Sequence, residues 1–216
     1  MSALRIPDRS VIERIDREDP LPFYYNPLTG WVYRRRLALA LEALGPGPYE
    51  TLLEVGYGSG ILLPELCRRA RKVHAVDLHE KSDAVRRMLE AERVSADLAT
   101  GSILDLPYDD GAFDALVCLS VLEHMDDVAL PKALVQIRRV CRPGATVVLG
   151  FPVRNLVTDT FFRAVGFHPR EIHPSSHRDI VTAARSAFPE VVPSFWPPAL
   201  PVGLSLYATC RCRTRS

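Results

Sequence analysis

LLEVGYGSG, residues 52–60, decides the fold. An apolar run carrying Glu54 ends at Val55, and glycines follow at positions 56, 58 and 60. Such a run reads as a buried strand entering a tight turn. Glycine has no Cβ, so the chain can bend sharply there and bring its backbone against a ligand. ILLPELCRRA (61–70) then repeats apolar residues at helical spacing through Leu62, Leu63, Leu66, Cys67 and Ala70. Pro64 falls in the first turn, where a missing N–H costs little. Strand, glycine turn and helix together place backbone N–H groups at the ligand edge of a parallel α/β unit.

The pattern continues downstream. KVHAVD (72–77) alternates like a strand, and 80–93 puts Ala84, Val85, Met88 and Leu89 on one helical face. VSADLAT (94–100) is a weak strand and FDALVCLS (113–120) a strong buried one. Residues 129–141 carry Leu130, Ala133, Leu134, Ile137 and Cys141 along one stripe, and ATVVLGF (145–151) follows the turn RPG. Strands alternating with helices predict a doubly wound, Rossmann-like, mostly parallel sheet. Helices are expected over 155–165, stopped by Gly166, and over 176–187, where Ser176 and Asp179 fit a capping box. Two last strands, 190–196 and 204–212, lack an intervening helix and so predict an antiparallel pair at the sheet edge. The full expectation is seven strands with an antiparallel last strand.

Residues 1–48 precede the first strand. RSVIERIDRE (9–18) is amphipathic, DPLPFYYNPLTG (19–30) is turn-rich and aromatic, and 31–44 reads as a helix with Trp31, Leu37, Leu41 and Leu44 near one face. GPGP (45–48) is too short a linker to separate a domain. Residues 1–48 are therefore expected to be a helical cover, or lid, on the domain formed by 49–216.

The 216 residues carry a formal net charge of +1, which argues against a broad electrostatic grip on nucleic acid. The five cysteines, Cys67, Cys118, Cys141, Cys210 and Cys212, include no C-x-x-C pair with zinc spacing, and no metal is expected. Scattered thiols, no signal-like N-terminus and no long apolar run predict a soluble cytoplasmic protein without a membrane span. Oligomeric state is not legible.

The glycines narrow the ligand. A dinucleotide loop reads G-x-G-x-x-G, but position 61 is Ile61, so the motif here is G-x-G-x-G. Asp77 closes the second strand 21 residues beyond Gly56, where a carboxylate can accept both hydroxyls of a ribose. Glu54 would repel a pyrophosphate but suits a ligand with a cationic amino group. LLEVGYGSG, HAVDLHE, GSILDLPYDDGAFDALVCLSVLEHM and QIRRVCRPGATVVLGFP, in that order over about residues 51–152, resemble the class I S-adenosylmethionine-dependent methyltransferases. The similarity is greatest to the small-molecule group called methyltransferase type 11.

That resemblance implies S-adenosylmethionine as cofactor, with S-adenosylhomocysteine as product. It implies that Gly56, Tyr57, Gly58 and Gly60 wrap the methionine part, with Glu54 steadying the loop and the amino group. Asp77 would take the ribose hydroxyls, Leu78 the adenine face, Ser102 and Ile103 the adenine edge, and Leu119 and Ser120 the methionine side. The family usually has Asp where this chain has Ser102, and a hydroxyl is a weaker partner than a carboxylate. The implied reaction is transfer of the sulfonium methyl to an O, N or C nucleophile of a small molecule; the alternative is a cofactor-binding partner or regulator that transfers nothing.

Acceptor-side candidates follow from residue chemistry. His124, after the fourth strand, could act as base or loop former. His168, His173 and His177 cluster in FHPREIHPSSH, but Pro174 interrupts any i, i+4 metal pair. Tyr24, Tyr25 and Trp31 could wall the acceptor and attract the sulfonium. Of Arg34, Arg35 and Arg36, the last could reach a carboxylate or phosphate. Asp109 and Asp110, before Gly111, read as turn residues.

Overall fold

The computed structural model describes residues 4–17, 19–155, 158, 160 and 174–215. Seven strands form one sheet in the order β3-β2-β1-β4-β5-β7-β6. They are β1 (Tyr49–Val55), β2 (Ala70–Asp77), β3 (Asp97–Thr100), β4 (Phe113–Leu119), β5 (Cys141–Pro152), β6 (Glu190–Trp196) and β7 (Tyr207–Arg213). The first five pair in parallel, and β7 runs antiparallel between β5 and β6. The sheet is the Rossmann-like one expected, with the antiparallel pair where the missing helix placed it.

Helices flank the sheet: α1 (Leu21–Tyr25), α2 (Gly30–Leu44), α3 (Leu63–Cys67), α4 (Ser82–Ala91), α5 (Ala129–Val140) and α6 (His177–Ala187). Alternation along β1 divides the core. Leu52 joins Leu37, Leu41, Leu63 and Met88 on one face, while Leu53 joins Leu134, Ile137 and Ile180 on the other. All of these are buried, as a parallel sheet covered on both sides requires. α6 begins at the predicted capping box: Asp179 N–H donates to Ser176 Oγ, and Ser176 N–H donates to the Asp179 carboxylate.

Three expectations shift. The helix read over 61–70 is the single turn α3, because Ala70 already opens β2 and Arg68 and Arg69, just past the C-terminal end of α3, pair back to Glu65. Trp31 does not share the buried face of α2; it is 62% exposed and packs edge-on against Trp196 at 5.7 Å. At 3.6 residues per turn Trp31 lies about 240° round the helix from Leu37, off the buried stripe. The N-terminal cover is only partly helical. Among described residues, 4–17, 19 and 20 form no helix or strand, yet they bury Ile12 and Ile15. The predicted helix over 155–165 and its stop at Gly166 fall almost wholly outside the described residues.

Candidate active site

The strand order reverses direction between β1 and β4, and the crevice outside their carboxyl ends is the expected ligand position in an open α/β sheet. A cavity of about 560 Å³ opens there. Its floor is Glu54 to Ser59 after β1, Asp77 to His79 after β2, and Leu119 to Val121 after β4.

The glycine loop is built by three different demands. Gly56 (φ +78°) continues the ladder by donating to Val76 O at 2.8 Å, and a Cβ there would lie 2.2 Å from Val121 Cγ2. Gly60 (φ +75°) would press a Cβ to 2.6 Å from Val85 Cγ1. Gly58 (φ +50°) has open space before it, and it faces the cavity. Only Gly58 therefore leaves room at the ligand; Gly60 serves the packing of α4 and does not line the cavity.

Asp77 is fixed by that loop. Gly58 N–H donates to its Oδ2 at 2.8 Å. Two strand positions away in the sheet, Glu54 is buried, and its Oε2 has no hydrogen-bond partner. Burial first, and the Asp77 charge second, push the Glu54 carboxyl well above its ordinary range. A buried acceptor without a donor, facing a cavity, fits a ligand carrying N–H groups.

Arg36 also lines the cavity. Its guanidinium lies over the rings of Tyr207 and Tyr33, at 4.7 Å and 5.1 Å from their centroids, and Nη2 donates to Ser120 Oγ. Nε is buried without a hydrogen-bond partner. Tyr24 completes this side, its hydroxyl pushed up to about 12 by burial. The cavity lining thus combines carboxyl groups, a guanidinium and aromatic rings.

Most residues expected at the site meet in this cavity: Glu54, Gly56, Tyr57, Gly58, Asp77, Leu78, Ile103, Leu119, Ser120, His124, Tyr24 and Arg36 all line it. Ser102 does not. Its Oγ accepts from Leu104 N–H at 3.1 Å within its own turn, while its neighbours Gly101 and Ile103 face inward. Tyr25 is turned away and donates to Pro7 O at 2.7 Å, anchoring the N-terminal segment. Trp31 stays on the surface. His168 and His173 lie outside the described residues. His177 is buried at the start of α6 against Phe195, and burial lowers its pKa.

Several lining residues were not anticipated. Ile15, Asp16, Asp19 and Pro20 come from the irregular N-terminal segment, His79 follows β2, and Tyr207 opens β7. Asp19 accepts from Ile15 N–H at 3.0 Å and Leu21 N–H at 2.9 Å, and burial raises its pKa. The segment is tied down by Lys81, which donates to Ile15 O, and by an Arg87–Glu13 pair at 2.9 Å. Tyr207 and His79 carried no signal beyond their residue type. The acidic pair 16 and 19 sits in a charged amphipathic stretch and reads as solvated surface. Among the described residues no cluster of three His, Cys, Asp or Glu could hold a metal, and no helix is long and apolar enough to cross a membrane.

Comparison with known proteins agrees with the geometry. The model of the family described as Methyltransferase domain matches residues 53–149. A ubiquinone biosynthesis O-methyltransferase from Paracidovorax citrulli is 30% identical over 178 residues, covering 75% of this chain and 69% of the relative. Other curated relatives are spanned less fully, about half their length or below. Among solved structures, the N-methyltransferase NodS from Bradyrhizobium japonicum WM9, crystallised with S-adenosyl-L-homocysteine, superposes with a TM-score of 0.68 at 21% identity, covering 94% of this chain and 95% of NodS. The [4+2]-cyclase SpnF superposes with a TM-score of 0.66 at 18% identity, over 84% of this chain and 80% of SpnF. Those two likenesses establish the fold, and the sequence relationships establish the rest: this chain belongs to the class I S-adenosylmethionine-dependent methyltransferases.

Proposed function

We propose that this enzyme methylates a small molecule, using the cavity at the β1, β2 and β4 tips to hold its cofactor. The observation that carries the reading is the presence of two half-satisfied groups in the lining of one cavity: Glu54, with a buried acceptor lacking a donor, and Arg36, with a buried donor lacking an acceptor. An amino acid zwitterion satisfies both ends at once. Asp77, braced by Gly58 N–H, would take the ribose hydroxyls, and Leu78 and Ile103 would flank the adenine. Ser102 is left out of that set, since its hydroxyl is spent locally.

When bound, S-adenosylmethionine supplies a methyl group on a sulfonium centre that is already activated for displacement. The chain's own work is then alignment and exclusion of water, worth roughly 7–11 kcal/mol when the geometry is good. Tyr24, Tyr207 and the segment around Ile15 and Pro20 close the cavity, and their aromatic faces favour a positive centre. His124 lines the cavity beyond β4, in the turn Leu122–His124, and is the candidate to accept a proton from a hydroxyl acceptor.

The acceptor class we favour is a hydroxyl, because the relative from Paracidovorax citrulli bears the name of an O-methyltransferase of ubiquinone biosynthesis. N and C nucleophiles are the other outcomes of the same test. Residues 1–48 are proposed to be a cover of the one domain formed with 49–216. The decisive experiment is transfer of labelled methyl from S-adenosylmethionine to a panel of phenols, amines and activated carbon acids. Labelled phenol ether as the main product supports the proposal. Tight binding of S-adenosylhomocysteine with no transfer to any acceptor class would instead favour a partner or regulator.

A further inference from the structure

We propose that His79 is a positioning residue that sets the cofactor loop, an inference that rests on the cofactor reading above. Its ring is largely enclosed, and it touches the loop at two points. Nε2 lies 2.9 Å from Gly58 O, and the ring packs edge-on against Tyr57, with centroids 4.8 Å apart. On its other side, Lys81 N–H donates to Nδ1 at 3.1 Å.

These contacts fix the tautomer. A backbone N–H can only donate, so Nδ1 must accept. A carbonyl can only accept, so Nε2 must carry the proton. A doubly protonated ring would set Nδ1–H against Lys81 N–H. His79 is therefore a directed N–H donor, with its acceptor side held by the backbone that leads into α4.

The consequence lies at Gly58. Its N–H is taken by Asp77 Oδ2 and its C=O by His79, so both polar backbone groups of this cavity-lining glycine are held by residues at the end of β2. The backbone N–H of His79 also approaches Asp77 Oδ1 at 3.4 Å. Gly58 has no side chain to pack, and a Cβ there would meet nothing within 4 Å, so its backbone bonds are what hold it. Clamping it from both ends fixes the orientation of the Asp77 carboxylate and the path of the loop together. His79 need not touch the ligand to do this.

Two substitutions separate the halves of the clamp. His79→Gln can place an amide N–H near the position of Nε2 and keep the bond to Gly58 O. His79→Asn can place its oxygen near Nδ1 and keep the bond from Lys81 N–H, but is too short for Gly58. His79→Ala keeps neither. Titration calorimetry with S-adenosylhomocysteine is expected to show His79→Ala and His79→Asn weaker by about five- to tenfold, as for one lost neutral hydrogen bond, and His79→Gln within about twofold of wild type. In wild type, long-range ¹H–¹⁵N spectra should show the proton on Nε2. Melting curves without ligand report folding separately. Rescue by Asn instead of Gln, unchanged affinity in His79→Ala, or equal losses in all three variants would overturn the role of His79 while leaving the cofactor reading in place. No heat with the wild-type protein would overturn the cofactor reading, and the assignment of His79 with it.

Discussion

Arg36, on α2, donates through Nη2 to the hydroxyl of Ser120, the residue that leaves β4 with φ +56°. The bond ties the N-terminal helix to the sheet's ligand edge, and it holds the guanidinium between Tyr207 and Tyr33 with Nε still uncommitted. If that nitrogen meets the carboxylate of the cofactor, Arg36→Lys should weaken S-adenosylhomocysteine about tenfold, since lysine loses the planar fork and its ring contacts. 5′-Methylthioadenosine, which lacks the amino acid, should bind the variant as it binds wild type. Calorimetry with the two ligands makes the comparison; equal losses would mean that Arg36 only braces the fold.

Glu54 yields a prediction with a pH sign. Its pKa in the folded protein is raised, so its contribution to stability is fully present below the ordinary carboxylate range and is lost as pH rises through the folded value. Without ligand, Glu54→Gln should therefore be more stable than wild type at neutral pH, by about 1–3 kcal/mol, with the gap closing as pH falls. The same substitution should weaken binding of S-adenosylhomocysteine, because a neutral amide attracts the amino group less. Thermal melts across pH, paired with calorimetry, test both halves. A variant that is less stable at every pH contradicts the argument.

The three glycines should not respond alike to alanine. Gly60→Ala drives a Cβ into Val85 and Met88 and is expected to cost about 1–3 kcal/mol of folding stability, partly recovered by Val85→Ala. Gly58→Ala meets nothing within 4 Å and pays only for its positive φ, about 1 kcal/mol, yet it should weaken cofactor binding more than Gly60→Ala does. Denaturant melts and calorimetry on the two variants would show the crossing; parallel losses would contradict it.

The N-terminal segment should govern release of the cofactor. Lys81 Nζ holds Ile15 O, and Ile15 and Asp19 both line the cavity. Lys81→Met keeps the aliphatic stem but removes that bond. It is expected to raise the dissociation rate of S-adenosylhomocysteine several-fold in stopped-flow measurements with little change in the association rate. An unchanged dissociation rate would mean that the segment is a fixed wall.

If the acceptor is a hydroxyl, His124→Gln should lower kcat by about a hundredfold and leave cofactor affinity intact. With an amine acceptor already deprotonated, the same variant should keep most of its rate. Rates on both acceptor types against pH distinguish a base from a loop former.

Residues 49–152 were legible because their information is local. β1, its glycine turn and Asp77 are close in sequence, and buried parallel strands announce themselves as apolar runs. Ser176 and Asp179 wrote α6 in the same way. What stayed hidden depends on distant contacts. Ile15 is one apolar residue in a charged stretch, and only the fold brings its carbonyl to Lys81. Tyr207 reads as an ordinary strand residue until Arg36 lies on its ring. Trp31 looked to share a face with Leu37 and Leu41, but at 3.6 residues per turn it stands about 240° round α2 from Leu37, off the buried stripe. Ser102 matched the family's position but not its chemistry, and its hydroxyl accepts from Leu104 N–H in its own turn, away from the cavity.

The cavity draws on separate stretches of the chain. Glu54, Gly58, Asp77 and His79 sit within the matched stretch 53–149, whereas Ile15, Asp19, Tyr24, Arg36 and Tyr207 lie outside it. Most of the proposed socket for the methyl donor is thus written in one segment, with Arg36 reaching it from another. A lineage that keeps Arg36 could exchange other flanking residues, and with them the molecules admitted, without rebuilding the socket that handles the donor.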